Sequence, residues 1–121
     1  MPRTLAFILL AVVSAASAKA PPEVVTPAGK PVSCVPLANI RETHVRDDRT
    51  IDFVMTGKTS YRNTLPYACP ELGFEKAFSY ETSLSQLCSS DIITVFRNDG
   101  GGPRRGASCG LGPFQPVTGL R

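Results

Sequence analysis

Alternation of apolar and polar positions is the dominant pattern after residue 33. In Thr50–Thr56, Ile51, Phe53 and Met55 fall on one face, and Thr50, Asp52 and Thr56 on the other. Val54 is the apolar exception on the outer face. This is the period of a half-buried strand. Thr59–Leu65 reads as the next strand, with Tyr61 and Leu65 on one side, Arg62 and Thr64 on the other, and Pro66 ending it. Ala77–Thr82 is a short strand whose Phe78 and Tyr80 share a face. Ile92–Arg97 is apolar on both faces, as a central buried strand requires. Val35–Arg46 alternates imperfectly, which predicts a strand with a bulge. Ser108–Val117 closes the chain's apolar pattern through Leu111 and Phe114.

Between these runs lie turn signals. Asp47-Asp48-Arg49 separates two strand candidates, and Thr56-Gly57-Lys58 separates the next two. CPELGF, Cys69–Phe74, predicts one helical turn with Pro70 first and Gly73 last. NDGGGPRRG, Asn98–Gly106, predicts a flexible loop. Five or six short strands at this spacing predict an all-β domain, a small antiparallel barrel or rolled sheet.

The chain before residue 33 follows other rules. Arg3 precedes the apolar run LAFILLAVV, and small residues with two A-x-A sites follow, up to Ala20. That order marks residues 1–20 as a secretory signal peptide. Leu5–Ala18 spans about 14 residues, short of the roughly 20 that cross a bilayer as a helix. No transmembrane segment is expected after its removal. Residues 21–32 hold four prolines and predict an extended linker, with the domain proper in residues 33–118. The expected location is outside the cytoplasm, in the periplasm or the extracellular space.

Export changes the reading of Cys34, Cys69, Cys88 and Cys109. An even count in a small exported domain predicts disulfides. Of the three pairings, Cys34–Cys109 is favoured because it ties the ends of the domain together, with Cys69–Cys88 closing a local loop. The cysteine spacings do not match structural zinc sites, whose ligands come in close pairs, so no metal or cofactor is expected. Arg3 leaves with the leader, so twelve basic residues face ten acidic ones, a net +2, or +1 if Lys19 leaves too. That balance offers no clustered basic face for nucleic acid.

Four places carry candidate chemistry. THVRDDRTID, Thr43–Asp52, holds the single histidine, His44, beside Asp47 and Asp48. Acid–base catalysis requires such groups within hydrogen-bond reach of a substrate in a shielded site, and a hairpin tip offers little shielding. Ser89 and Ser90 with Asp91 lack the G-x-S-x-G of a nucleophile elbow. Arg104 and Arg105 follow a glycine run, but no P-loop motif is present. They are candidates for meeting an acidic partner. Tyr61, Phe78 and Tyr80 are candidates for the mouth of a ligand-binding barrel, against core packing as the alternative.

The motif set C-x-P-L from Cys34, Y-x-N-x-L-x-x-x-C-P-x-L from Tyr61, F-S-Y from Phe78, L-C-x-x-D-x-I from Leu87 and C-x-L-G-x-F from Cys109 resembles a family of small exported Gram-negative bacterial proteins classed as a domain of unknown function. The resemblance runs from Cys34 to Val117. It implies export and a cysteine framework, and assigns no catalytic role to any residue. The expected function is a non-enzymatic binding or structural module of the periplasm or cell envelope, whose partner is a component of that envelope. A small-molecule-binding barrel is the alternative, and a hydrolase built on His44, Asp47 and Asp48 a remote one.

Overall fold

The computed structural model describes residues 25–57, 59–82, 84–98 and 100–120. The expected signal peptide lies outside the described residues. Among the described residues are ten strands: β1 Thr26–Pro27, β2 Cys34–Pro36, β3 Ile40–Val45, β4 Thr50–Met55, β5 Ser60–Thr64, β6 Phe78–Tyr80, β7 Gln86–Cys88, β8 Ile92–Asn98, β9 Pro103–Gly110 and β10 Phe114–Thr118. One helical turn, α1, spans Leu72–Glu75. All pairings are antiparallel. They make three sheets in the orders β1-β10-β5-β4-β3, β2-β7 and β6-β8-β9. The chain is thus a rolled antiparallel assembly, and no closed barrel forms because three separate ladders meet around one core.

That core takes inward side chains from every sheet. Ile51, Phe53 and Met55 of β4 are buried as their alternation requires. They join Val35 and Leu87 from the β2–β7 pair and Ile93 and Val95 from β8. Phe114 of β10 meets Phe53 edge-on at 5.4 Å between centroids and Tyr61 at 6.5 Å. Such edge-to-face pairs add roughly 0.5–1.5 kcal/mol each beyond their buried area.

Several elements depart from expectation for physical reasons. The expected strand Val35–Arg46 is two strands separated by a 3₁₀ turn at Leu37–Asn39, with the irregularity between Ile40 and Glu42. Thr26–Pro27, inside the expected linker, pairs with β10, and Val32 bridges Phe114. Proline is admissible there because β1 is an edge strand. Pro103–Gly106, expected as loop, is the start of β9, paired with Phe96–Asn98. The helical turn begins at Leu72, two residues after Pro70, between Glu71 and Lys76, both with positive φ.

The disulfides correct the expected connectivity. Cys34 lies directly opposite Cys88 in the β2–β7 ladder and bonds to it, and Cys69 bonds to Cys109 of β9. The segment from Cys69 to Cys88 does not close locally. It runs through α1 into β6, which pairs with β8, and then returns as β7 beside β2. Strand pairing, not proximity in sequence, chooses the partners.

One buried polar pair joins the sheets. Asn63, fully buried on β5, donates from Nδ2 to the Gly112 carbonyl at 2.7 Å and accepts from Gly112 N–H at 2.9 Å. A Cβ at Gly112 would run into the Thr64 carbonyl oxygen. Asn63→Ala leaves both Gly112 groups buried without their partner, and each such group costs about 1–3 kcal/mol. The expected loss is about 3 kcal/mol in urea unfolding. A loss below about 1 kcal/mol would show that the pair is replaceable.

Candidate functional site

The Asp47-Asp48-Arg49 turn lies at the tip of the β3–β4 hairpin, as expected, with Arg49 exposed and both aspartates half-buried. Asp47 Oδ1 accepts Arg49 N–H at 2.8 Å, the local bond that favours Asp in turns. The rest of the tip grips the segment that follows β5. The Arg49 carbonyl accepts Leu65 N–H at 2.7 Å, and Arg49 Nε donates to the Leu65 carbonyl at 2.9 Å. The Asp48 carbonyl accepts Cys69 N–H, and its Oδ1 accepts Gly73 N–H, both at 2.7 Å. Position 73 must be small, since a Cβ there would sit 2.9 Å from Asp48 Oδ1 and 3.0 Å from the Asp47 backbone.

The same segment is fastened from its other side. Cys69 is fully buried and bonded to β9, and Leu72 is fully buried in the core. Glu71 pairs with Arg97 of β8 at 2.9 Å, and Asn98 N–H reaches Glu75 Oε2 at 3.4 Å. On this braced backbone two aromatic side chains point away from the protein: Tyr67 is 82% exposed and Phe74 is 85% exposed. Isolated exposed apolar residues are ordinary. Two aromatics on one short segment held by a disulfide, an ion pair and the turn's hydrogen bonds form the candidate interaction site.

Of the residues singled out from sequence, Tyr80, Ser90, Asp91 and Arg105 line one cavity, and the others lie apart from it. His44 lies 3.4 Å from Glu42 on the outer face of the five-stranded sheet. Asp47, Asp48, Arg49 and Ala68 line a shallow cavity of about 260 Å³. His44 is not among its walls, so the His44/Asp47/Asp48 set does not converge. Tyr61 sits on β5, and Phe78 and Tyr80 on β6, in different sheets and packed against the core. Tyr80 is a wall of a cavity of about 380 Å³, whereas Tyr61 and Phe78 are not among its walls. Arg104 and Arg105 are consecutive on β9 and so face opposite ways. Arg104 lies opposite Arg97, while Arg105 lies opposite Phe96 and approaches Glu81 at 3.9 Å. All four cysteines are in disulfides. Among the described residues no group of three or more His, Cys, Asp or Glu side chains is placed to hold a metal ion, and no helix is long and apolar enough to cross a membrane.

Sequence reasoning missed Tyr67 and Phe74 as surface groups. The available signal was an aromatic on each side of a Cys-Pro turn, bounded by Pro66 and Lys76. No protein-family model matches the chain, and comparison with curated proteins and solved structures also finds no match.

Proposed function

We propose that the protein is a non-enzymatic binding module of the periplasm or cell envelope, and that it docks a protein partner through the segment 66–76. The observation that carries this reading is the exposure of Tyr67 and Phe74 on a backbone fixed from two sides. Aromatic anchors supply large contact area, and a preorganised backbone avoids the ordering cost of binding. The rim around them is charged, with Arg49, Glu71 and Lys76, as interface margins are. The leader-like residues 1–20, the four-cysteine framework and the family resemblance support an oxidising compartment outside the cytoplasm.

The test places a photo-crosslinking phenylalanine analogue at position 74 of the exported protein, with position 41 as a control on β3. The reading expects a discrete protein adduct from position 74 that disappears with Tyr67→Ser. Identical adducts from both positions, or none, would sink it. Stability gives a second check. Tyr67→Ser and Phe74→Ser should each leave the urea midpoint nearly unchanged, within about 0.5 kcal/mol, as exposed side chains do. A loss above about 1.5 kcal/mol would make them packing residues instead.

A further inference from the structure

The outer face of the β6-β8-β9 sheet carries a second kind of surface, independent of the aromatic segment. Residues directly opposed in antiparallel strands share a face. Ser79, Thr94 and Ser108 are opposed in register and form a row of hydroxyls across the sheet. Thr94 Oγ1 and Ser108 Oγ lie 3.1 Å apart in a hydrogen bond. On one side of this row, along β8, comes Ile92, 57% exposed and opposite Gly110. On the other side come Phe96 and its partner Arg105. A cavity of about 380 Å³ opens on this face, lined by Ser79, Thr94, Ile92, Asp91, Glu81 and Arg105 among others. That volume is within the roughly 300–1,000 Å³ of small-ligand sites.

The geometry points to a binding site for a short neutral oligosaccharide. Three features select that class. Each hydroxyl of the row both donates and accepts, which matches ligand hydroxyls that do the same. The cavity presents no single sign of charge: Arg105 and Glu81, both exposed, stand 3.9 Å apart, and Asp91, whose Oδ2 accepts Cys88 N–H at 2.7 Å, is also among the walls. Ile92 supplies an apolar patch beside the polar row, which suits the C–H face of a sugar ring. A second cavity of about 520 Å³ lies at the other end of the strand, where Phe96, Ala77 and Pro103 offer a further ring apolar contact beside Glu75, Arg97 and Asn98. Ile92 and Phe96 are four residues apart, about 13 Å along a strand, room for more than one sugar unit.

The test titrates ¹⁵N-labelled protein separately with two neutral trisaccharides, chitotriose and maltotriose, and with the diamine putrescine. The assignment expects saturable amide shifts at Ser79, Thr94 and Ser108 with at least one trisaccharide, at a Kd of about 1 mM or tighter. Thr94→Val, which keeps the shape and removes the hydroxyl, should weaken binding at least about tenfold, and Ser108→Ala on the exposed edge strand should weaken it in the same direction. Both variants must keep the wild-type amide dispersion, and either folded variant suffices. Absence of saturable shifts with both sugars overturns the assignment. So does saturation on another face, or saturation by putrescine alone, which would mark a cation site.

Discussion

Asp52→Ala should destabilise the protein by about 3 kcal/mol, one of the largest losses expected from a single substitution. Alternation puts Asp52 on the outer face of β4, yet its side chain is completely buried. Two arginines cover it. Arg62, opposite on β5, donates from Nε to Oδ1 at 2.8 Å and from Nη2 to Oδ2 at 2.9 Å. Arg46, at the end of β3, donates from Nε to Oδ2 at 2.8 Å. The two-pronged Arg62 contact fits the carboxylate plane, a geometry that lysine cannot supply. Removing one partner of a buried ion pair typically costs 3–5 kcal/mol, because the other charge stays behind. The guanidinium side chains are 16–22% exposed, which places the expectation at the low end of that range. The check is urea denaturation of Asp52→Ala beside the triple variant Asp52→Leu, Arg46→Met, Arg62→Met. The triple variant should recover much of the loss, since replacing a whole buried ionic group by apolar side chains is often neutral. A loss below about 1 kcal/mol for Asp52→Ala would mean that the arginines find water without it.

This network marks where sequence reading ends. The strand Thr50–Met55 was legible because Ile51, Phe53 and Met55 alternate with polar residues. The same alternation suggested that Asp52 faces water. Its burial depends on which strands flank β4, and only the register supplies Arg62 and Arg46. β8 was legible from its apolar density. β9 was not, because Pro103, Gly106 and the two arginines have weak strand preference, and pairing with β8 overrides it. The hairpin tip was legible as a turn, but its docking on Cys69 and Gly73 is a long-range event with no local signature. Three polar side chains have mechanical roles: Asn63 holds Gly112, Asp48 holds Gly73, and Asp91 accepts Cys88 N–H. The aromatic segment and the hydroxyl face follow from the topology.

Removing the two disulfides should cost similar loop entropy but have different consequences. The bonded cysteines are 54 and 40 residues apart, and the logarithmic dependence on loop length makes each bond worth about 4 kcal/mol. Burial separates them. Both cysteines of the Cys34–Cys88 pair are partly exposed, whereas in the other pair Cys109 is partly exposed but Cys69 is fully buried. Mild reduction followed by alkylation and mass mapping should therefore label Cys34 and Cys88 first. Cys69→Ala/Cys109→Ala should lower the urea midpoint more than Cys34→Ala/Cys88→Ala, because it also leaves a cavity beneath the 66–76 segment. It should also release the segment that holds Tyr67 and Phe74, and with it the crosslink from position 74. The Cys34→Ala/Cys88→Ala protein, if folded, should keep that crosslink, since Asp48, Arg49 and Cys109 still hold the segment. Earlier labelling of Cys69 and Cys109, or equal loss of the crosslink in both variants, would separate the display of the aromatics from the bond beneath them. Their exposure would then be a property of the hairpin tip alone.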